Sequence, residues 1–150
     1  MKYLLALALT FIVCNTQAQD KTSSINWLTN LEQAQKMAKK EKKPILVYFT
    51  GSDWCAPCKM LKEDFFETEK FGQLADQMIL VYIDRPRRVD ILTPEQLEYN
   101  KTVIAEYNAE NTYPKLLALN ARGKVMGKIS GYSSLRDPSN HFSFVEKHLR

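Results

Sequence analysis

The chain has 150 residues, of which 45% are hydrophobic and 25% are charged, and its formal net charge at pH 7 is +4. This length suits one domain with a substantial hydrophobic core. The charge is too small to indicate a protein that binds nucleic acid or a membrane surface, so we expect neither partner.

The beginning of the chain has the pattern of a secretory signal peptide. A basic second residue precedes an apolar run over residues 3–13, and Thr16 and Ala18 place small side chains three positions and one position before a cleavage point. The apolar run is too short to span a membrane. We therefore predict a signal peptide over residues 1–18 and a mature chain that begins at Gln19. A retained N-terminal anchor is the alternative.

Cysteine use points to a catalytic pair. The chain contains 3 cysteines, and the predicted cleavage removes Cys14. Val13 precedes Cys14 at a position where lipoprotein processing prefers a smaller side chain, which disfavours a lipid anchor. Cys55 and Cys58 then remain as an isolated Cys-x-x-Cys pair. In an oxidising, extracytoplasmic compartment, such a pair indicates redox catalysis rather than a disulfide scaffold.

The mature chain is predicted to form a flexible segment over residues 19–26 and one domain over residues 27–150. Thr29 and Glu32 fit a capping box, with Glu32 at the third helical position of the first helix. Hydrophobic periodicity and turn residues place the other elements. In chain order we predict a helix over about 31–43, a strand over 45–50, a helix from 55 to about 66 that continues or restarts at 68 and ends near 77, a strand over 78–83, a helix from 94 to about 107, strands over 115–119 and 124–130, and a helix from 137 to the end.

The order of these elements predicts the architecture. Strand, helix, strand and helix in succession indicate a parallel crossover. The short turn over residues 120–123 joins the last two strands as an antiparallel hairpin. The fold class is therefore α/β, a sandwich in which helices flank both faces of a mixed central sheet.

The sequence Trp-Cys-Ala-Pro-Cys over residues 54–58 is the most informative motif. It follows a buried strand and opens a helix, so Cys55 and Cys58 can close a disulfide within one turn. The positive end of the helix dipole and the unpaired N–H groups of the first turn favour a thiolate. The thiolate is the attacking species in thiol–disulfide exchange. A buried or metal-ligating cysteine pair is the alternative interpretation.

Two segments carry a resemblance to a known family. Residues 54–59 resemble the active-site motif of the thioredoxins, with Ala56 where those proteins usually have glycine. Tyr113 and Pro114, followed by a strand, resemble their cis-proline segment. Residues 49–55 resemble most closely the secreted bacterial thioredoxin-like proteins and the C-terminal domain of the membrane thiol-disulfide interchange reductase.

The resemblance implies catalytic roles for the two cysteines. Cys55 would be the exposed nucleophile that attacks a substrate disulfide. Cys58 would resolve the resulting mixed disulfide and release the reduced substrate.

The resemblance also implies roles for four residues around the cysteines. Trp54 would pack beside the sulfur atoms and shape the substrate-binding surface, and Pro57 would set the helix start. Pro114, if its peptide bond is cis, would lie against the cysteine pair. The backbone of Tyr113 would then be available to pair with substrate. A trans Pro114 at an ordinary strand start is the alternative.

One position departs from the thioredoxin pattern. Thioredoxins have a buried aspartate on the strand before the motif, and Tyr48 occupies its place here. Tyrosine is neutral near pH 7 and cannot act as the same base. The lysine that accompanies that aspartate is also replaced, by Leu80 or Val81. The sequence therefore does not identify the group that accepts the proton of Cys58.

Two further groups of side chains are candidates for a metal site and for a partner-binding site. His141 and His148 are seven residues apart and could join the cysteines in a zinc site, but structural zinc sites usually repeat a close ligand pair. We expect no metal and no cofactor. Arg85, Arg87 and Arg88, in a polar loop over residues 84–93, could recognise an acidic partner or simply be solvated.

We therefore interpret the chain as a secreted thiol–disulfide oxidoreductase. The Ala-Pro pair between the cysteines resembles the reducing members of the family, whereas strongly oxidising members typically have histidine there. The expected partners are disulfide- or thiol-containing extracytoplasmic proteins and a membrane electron donor, and we expect a monomer. The alternatives are a dedicated reductant for cytochrome c maturation and a non-catalytic binding module.

Overall fold

A computed structural model of the chain describes residues 25–149. The predicted signal peptide and cleavage point lie outside these residues. The described elements are β1 (Trp27–Leu28), α1 (Leu31–Glu41), β2 (Ile45–Thr50), α2 (Ala56–Leu61) continuing into a π-helical turn (Lys62–Phe66), α3 (Glu69–Ala75), β3 (Ile79–Asp84), α4 (Pro94–Tyr107), β4 (Lys115–Leu119), β5 (Val125–Ser130) and α5 (Ser139–His148).

The strands form one mixed sheet in the order β1-β3-β2-β4-β5. β3 runs parallel to both β1 and β2, whereas β4 runs antiparallel to β2 and to β5. The predicted parallel crossover and terminal hairpin are confirmed. Because of these directions, the ends of β2 and β3 and the start of β4 meet at one edge of the sheet. That edge holds the cysteine motif and Pro114.

Helices cover both faces of the sheet, as the sequence predicts. On one face, α1 and α4 pack over the odd-numbered side chains of β2 and β3. On the other face, α2, α3 and α5 pack over the even-numbered side chains of the same strands, together with Cys55 and Cys58. The two central strands are buried on both sides, which explains their continuous apolar sequence. Within residues 25–149, no helix combines the length and apolar character needed to cross a membrane.

Two features differ from the sequence prediction, and one open alternative is decided. Asn30, not Thr29, caps α1, because its side-chain oxygen accepts the N–H of Gln33 at 2.7 Å. The predicted capping box is therefore wrong by one residue. β1 was not predicted, since two residues are too few to show a strand period. Between α2 and α3 the chain restarts rather than continues, because Thr68 caps the new helix by accepting the N–H of Phe71.

Candidate active site

Cys55 and Cys58 form a disulfide whose Cα atoms are 5.2 Å apart. Cys55 is the N-cap of α2 and Cys58 lies in the first turn. In this disulfide form Cys55 is 3% exposed and Cys58 is 2% exposed. The expectation that Cys55 is exposed is therefore wrong for this state. The bond to Cys58 holds the Cys55 sulfur against the helix start and away from solvent.

The helix start distinguishes the two sulfur atoms electrostatically. The backbone N–H of Cys58 donates to the Sγ of Cys55 at 3.3 Å, so Cys55 caps the helix through its own sulfur. This donor and the helix dipole would stabilise a negative charge on Cys55 after reduction. Both cysteines belong to the same buried cluster, so burial does not distinguish them, but the hydrogen bonds that the described residues show place this backbone donor on the Sγ of Cys55 and not on that of Cys58. The arrangement assigns the more stable thiolate to Cys55.

Pro57 lies in the first turn of α2. A proline has no N–H, and the first N–H groups of a helix have no partner within the helix, so proline costs little at this place. Its fixed φ angle suits the start of the helix that carries Cys58. Pro57 is half-buried.

A tight turn precedes the cysteines and requires a glycine. The N–H groups of Trp54 and Cys55 both donate to the carbonyl oxygen of Gly51, at 3.2 and 2.8 Å. A side-chain carbon on Gly51 would lie 2.3 Å from the Trp54 ring. Any larger residue at position 51 would therefore displace the indole.

Asp84 fixes the same turn from the neighbouring strand. One oxygen of this buried carboxylate accepts the backbone N–H of Ser52 at 2.8 Å, and the other accepts the Ser52 hydroxyl at 2.5 Å. From the sequence, Asp84 is predicted to begin a polar loop, but it is the last residue of β3, and its role in the turn was not predicted. Its position directly after a buried apolar run could have indicated this role, because that position lies at the same edge of the sheet as the motif.

Trp54 is held on three sides. Its indole Nε1 donates to the carbonyl oxygen of Arg85 at 2.8 Å. The guanidinium carbon of Arg87 lies 4.8 Å from the centre of its ring, a cation–π distance. The ring of Tyr113 meets it edge-on, with centroids 5.5 Å apart. Trp54 thus joins the cysteine motif, the loop after β3 and the segment before β4.

The Tyr113–Pro114 peptide bond is cis, as the resemblance implied. The carbonyl of Pro114 accepts the N–H of Gly131 at 2.8 Å, which continues the β4–β5 pairing. The segment before it is tied by Asn108, whose side chain contacts both the backbone N–H and the carbonyl oxygen of Thr112. Tyr113 and Pro114 therefore stand beside the motif at the same edge of the sheet.

Lys115, the residue after the cis-proline, ties the start of β4 to the end of α4 and the segment that follows it. Its side chain is buried, and its ammonium group donates to Glu110 at 2.6 Å and to the carbonyl oxygen of Tyr107 at 3.1 Å. Glu110 also pairs with Lys128. Hydrogen bonds from Lys115 and Lys128 lower the pKa of Glu110 to about 2. No periodic pattern in the sequence indicates that this lysine, in an otherwise apolar strand, is buried.

Tyr48 lies directly behind the second cysteine. Its hydroxyl donates to the carbonyl oxygen of Cys58 at 3.2 Å. Burial raises the pKa of Tyr48 to about 12, and this exceeds the lowering effect of Thr50. Tyr48 is therefore neutral at physiological pH, as expected from its identity. Leu80, not Val81, faces the same cluster.

The two histidines lie on α5 in different surroundings. His141 is 5% exposed and packs against the rings of Phe65 and Tyr132. His148 packs against Phe144. Among residues 25–149, no three side chains of the kinds that bind metals come together in a group able to hold an ion.

The arginine loop (residues 85–93) is tied to the cysteine motif by Asp53. Its carboxylate accepts the backbone N–H groups of Arg87 and Arg88, at distances of 2.9 to 3.1 Å. Burial opposes ionisation, yet these two N–H groups hold the pKa of Asp53 below its usual value. The side chain of Arg88 pairs with Asp90. These hydrogen bonds hold the loop in a defined position beside Trp54.

Comparison with known proteins identifies relatives over most of the domain. A family model described as thioredoxin-like matches residues 26–121. The chain is 28% identical over 126 residues to the disulfide bond reductase DsbH of Chlamydia pneumoniae, which covers 83% of this chain and 71% of that protein. It is 32% identical over 114 residues to the thiol:disulfide interchange protein DsbD of Campylobacter jejuni, which covers 76% of this chain but only 18% of that protein.

Solved structures agree with these relatives. A structure described as DsbH oxidoreductase matches with a TM-score of 0.70 and 25% identity, over 83% of this chain and 84% of that chain. The oxidised C-terminal domain of DsbD from Neisseria meningitidis matches with a TM-score of 0.59 and 21% identity, over 82% of this chain and 99% of that domain. The second match concerns the fold alone. The resemblance that the sequence motifs indicated is confirmed.

Proposed function

Because the chain belongs to the thioredoxin-like family and is a thiol–disulfide oxidoreductase, we propose that it is a secreted enzyme that reduces or exchanges disulfides in extracytoplasmic proteins. Cys55 and Cys58 carry the reaction. The observation that supports this most strongly is the disulfide at the start of α2, where a backbone N–H already points at the sulfur of Cys55.

The reaction consists of two exchanges. The Cys55 thiolate attacks one sulfur of the substrate disulfide, which forms a mixed disulfide and releases one substrate thiolate. The Cys58 thiolate then attacks the Sγ of Cys55, which releases the second substrate thiolate and forms the Cys55–Cys58 bond. The substrate gains two electrons and the enzyme loses two. The protons lost by the two enzyme thiols go to solvent, and the substrate thiolates take up protons in turn.

Trp54, Pro57, Tyr113 and Pro114 are proposed to bind substrate at this centre. Trp54 and the cis-proline segment approach each other through the Trp54–Tyr113 ring contact, and the motif lies at the same edge of the sheet. An extended substrate chain bound along this edge would bring its disulfide to Cys55. The backbone of Tyr113 would pair with that chain.

Reduction is the proposed direction. The Ala-Pro pair between the cysteines and the similarity to a protein named as a disulfide bond reductase both favour it. A reductase needs a dithiol donor to reopen its own disulfide, and a membrane electron donor is proposed for that step. The signal peptide pattern over residues 1–18 supports an extracytoplasmic, periplasmic location. A role as a dedicated reductant in cytochrome c maturation is a narrower form of the same activity.

Turnover of insulin disulfides tests this function against a non-catalytic binding module. Wild type should reduce insulin with repeated turnover when dithiothreitol is supplied, and Cys55→Ser should show no turnover above background. Arg122→Gln, at the exposed β4–β5 turn, serves as the matched control and should equal wild type. A wild-type rate equal to that of Cys55→Ser would favour the binding module. A measured redox potential then decides between reductase and oxidase.

A further inference from the structure

The arginine loop places cationic and apolar side chains at the entrance to the active site. Its carbonyl at Arg85 accepts the Trp54 indole N–H, and its backbone at positions 87 and 88 is tied to Asp53. The loop therefore keeps a defined position relative to Cys55, the residue after Trp54. A protein whose disulfide reaches Cys55 therefore has residues near the arginine loop.

In the described part of the chain, two guanidinium groups of the loop form no ion pair with a carboxylate. Arg88 is paired with Asp90, and the carboxylate of Asp53 is occupied by backbone N–H groups. Within residues 25–149, no carboxylate lies within 4.0 Å of the side-chain nitrogens of Arg85 or Arg87. Among the described residues, the guanidinium of Arg85 has a hydrogen bond to the neutral side chain of Asn111 and to no other acceptor.

Arg87 is the more informative of the two. Its guanidinium is stacked over Trp54, and within the described part of the chain its side-chain N–H groups have no hydrogen-bond acceptor. Guanidinium presents a planar fork of donors that fits a carboxylate in a bidentate manner. Contact with the indole restricts the motion of this side chain and so lowers the entropy lost when a carboxylate binds. Among the described residues Arg87 has no direct carboxylate partner, although Asp53 is close enough to interact with it electrostatically, so its donor fork is available to a carboxylate from a bound protein.

The same loop also carries two exposed apolar side chains. Val89 is 81% exposed and Ile91 is 37% exposed. Exposed apolar residues beside unpaired cations are suited to a partner segment that mixes acidic and apolar residues.

We propose that the arginine loop is a substrate-selecting surface that binds acidic residues next to the target disulfide. The occupant is a segment of the substrate protein, with its carboxylates on Arg87 and Arg85 and an apolar side chain on Val89. This inference rests on the proposed function, because it concerns which disulfides reach Cys55. Electrostatic attraction of this kind mainly raises the association rate and weakens with added salt.

Paired peptide substrates test the inference. Two synthetic peptides contain the same disulfide ring, flanked in one by glutamates and in the other by lysines. The second-order rate constant of the reduced enzyme with each peptide is measured at low and high salt. Wild type should prefer the acidic peptide by about tenfold at low salt and lose most of that preference at high salt. Arg87→Gln should bring the preference within about twofold, whereas Arg122→Gln should retain it.

A neutral substrate separates the possible explanations. Hydroxyethyl disulfide carries no charge, so in Arg87→Gln its rate should fall several-fold less than that of the acidic peptide, because loss of the Trp54 contact affects both substrates whereas loss of the cation affects only the acidic one. An equal loss on this reagent would show that Arg87 acts on the thiolate and would overturn the proposed docking role. Equal wild-type rates with the two peptides would also overturn it. If wild type failed to reduce even hydroxyethyl disulfide, the proposed function itself would fail, and the docking role with it.

Discussion

The hydroxyl of Tyr48 donates a hydrogen bond to the carbonyl oxygen of Cys58 at 3.2 Å. The residue that replaces an acid in this family is therefore tied to the backbone of the second cysteine rather than to its sulfur. The same carbonyl also accepts the N–H of Lys62 within the helix. Tyr48 helps to position Cys58, but it is not the only group that satisfies this carbonyl.

Tyr48→Phe should have a small effect on the reaction. The carbonyl of Cys58 keeps its helical partner, so we expect a loss of about 0.5–1.5 kcal/mol of stability and less than tenfold in insulin reduction. Rates and thermal melts of the variant check this. Tyr82→Phe is the matched control, because this neighbouring tyrosine makes no hydrogen bond to Cys58. A hundredfold loss in a well-folded Tyr48→Phe protein would show that the hydroxyl takes part in proton transfer.

Gly51→Ala adds only one carbon atom, yet it should impair activity substantially. The added carbon would lie 2.3 Å from the Trp54 ring, so the indole must move from its place beside Cys55. Displacement of this kind costs roughly ten- to a hundredfold in rate, and overpacking costs about 1–3 kcal/mol in stability. Enzyme assays and denaturant titrations measure both effects.

The control for this variant is Gly72→Ala. Gly72 lies in α3, and a carbon added there would meet no atom within 4 Å. Alanine should therefore stabilise the helix by about 0.5–1 kcal/mol and leave the rate unchanged. An active Gly51→Ala protein with an unchanged tryptophan environment would contradict the account of the turn.

His141 should make the fold less stable in mild acid. Burial lowers the pKa of His141 from the ordinary value of 6.5, and this exceeds the raising effect of the nearby Gly131 backbone. Neither ring nitrogen of His141 has a hydrogen-bond partner among the described residues. Below about pH 6.5 the unfolded chain binds a proton that the folded chain does not, so the free energy of unfolding falls with decreasing pH.

Denaturant titrations between about pH 5 and pH 7 measure this effect. His141→Phe should flatten the pH dependence, because the site can no longer titrate. His148→Phe should change the slope less, since His148 is only partly buried. Parallel slopes for wild type and His141→Phe would contradict the assignment.

Much of the fold follows from the sequence, because its signals are local. The apolar runs that become β2 and β3 and the cysteine motif at a helix start all carry recognisable patterns. Asp84 and Lys115 do not. Their roles depend on contacts between the ends of different strands and loops, such as Asp84 with Ser52, and no period in the sequence reports such contacts.

The N-terminus of the mature protein remains a prediction of the sequence. Cleavage after Ala18 should leave Gln19 as the first residue, because the basic start, short apolar run and small residues fit a signal peptide. Mass analysis of the protein from its native host measures this end. Ala18→Phe should slow cleavage and accumulate the longer chain. A lipid-modified Cys14 at the mature terminus would contradict the prediction and place the protein on a membrane.

Trapping of mixed disulfides tests the central claim, that Cys55 attacks and Cys58 resolves. Cys58→Ser leaves the nucleophile in place but removes the thiol that releases substrate, so covalent complexes should accumulate through Cys55 and be identified by mass spectrometry after alkylation. Cys55→Ser should accumulate few or none. Accumulation in Cys55→Ser instead of Cys58→Ser would contradict the account of the two sulfur atoms at the start of α2.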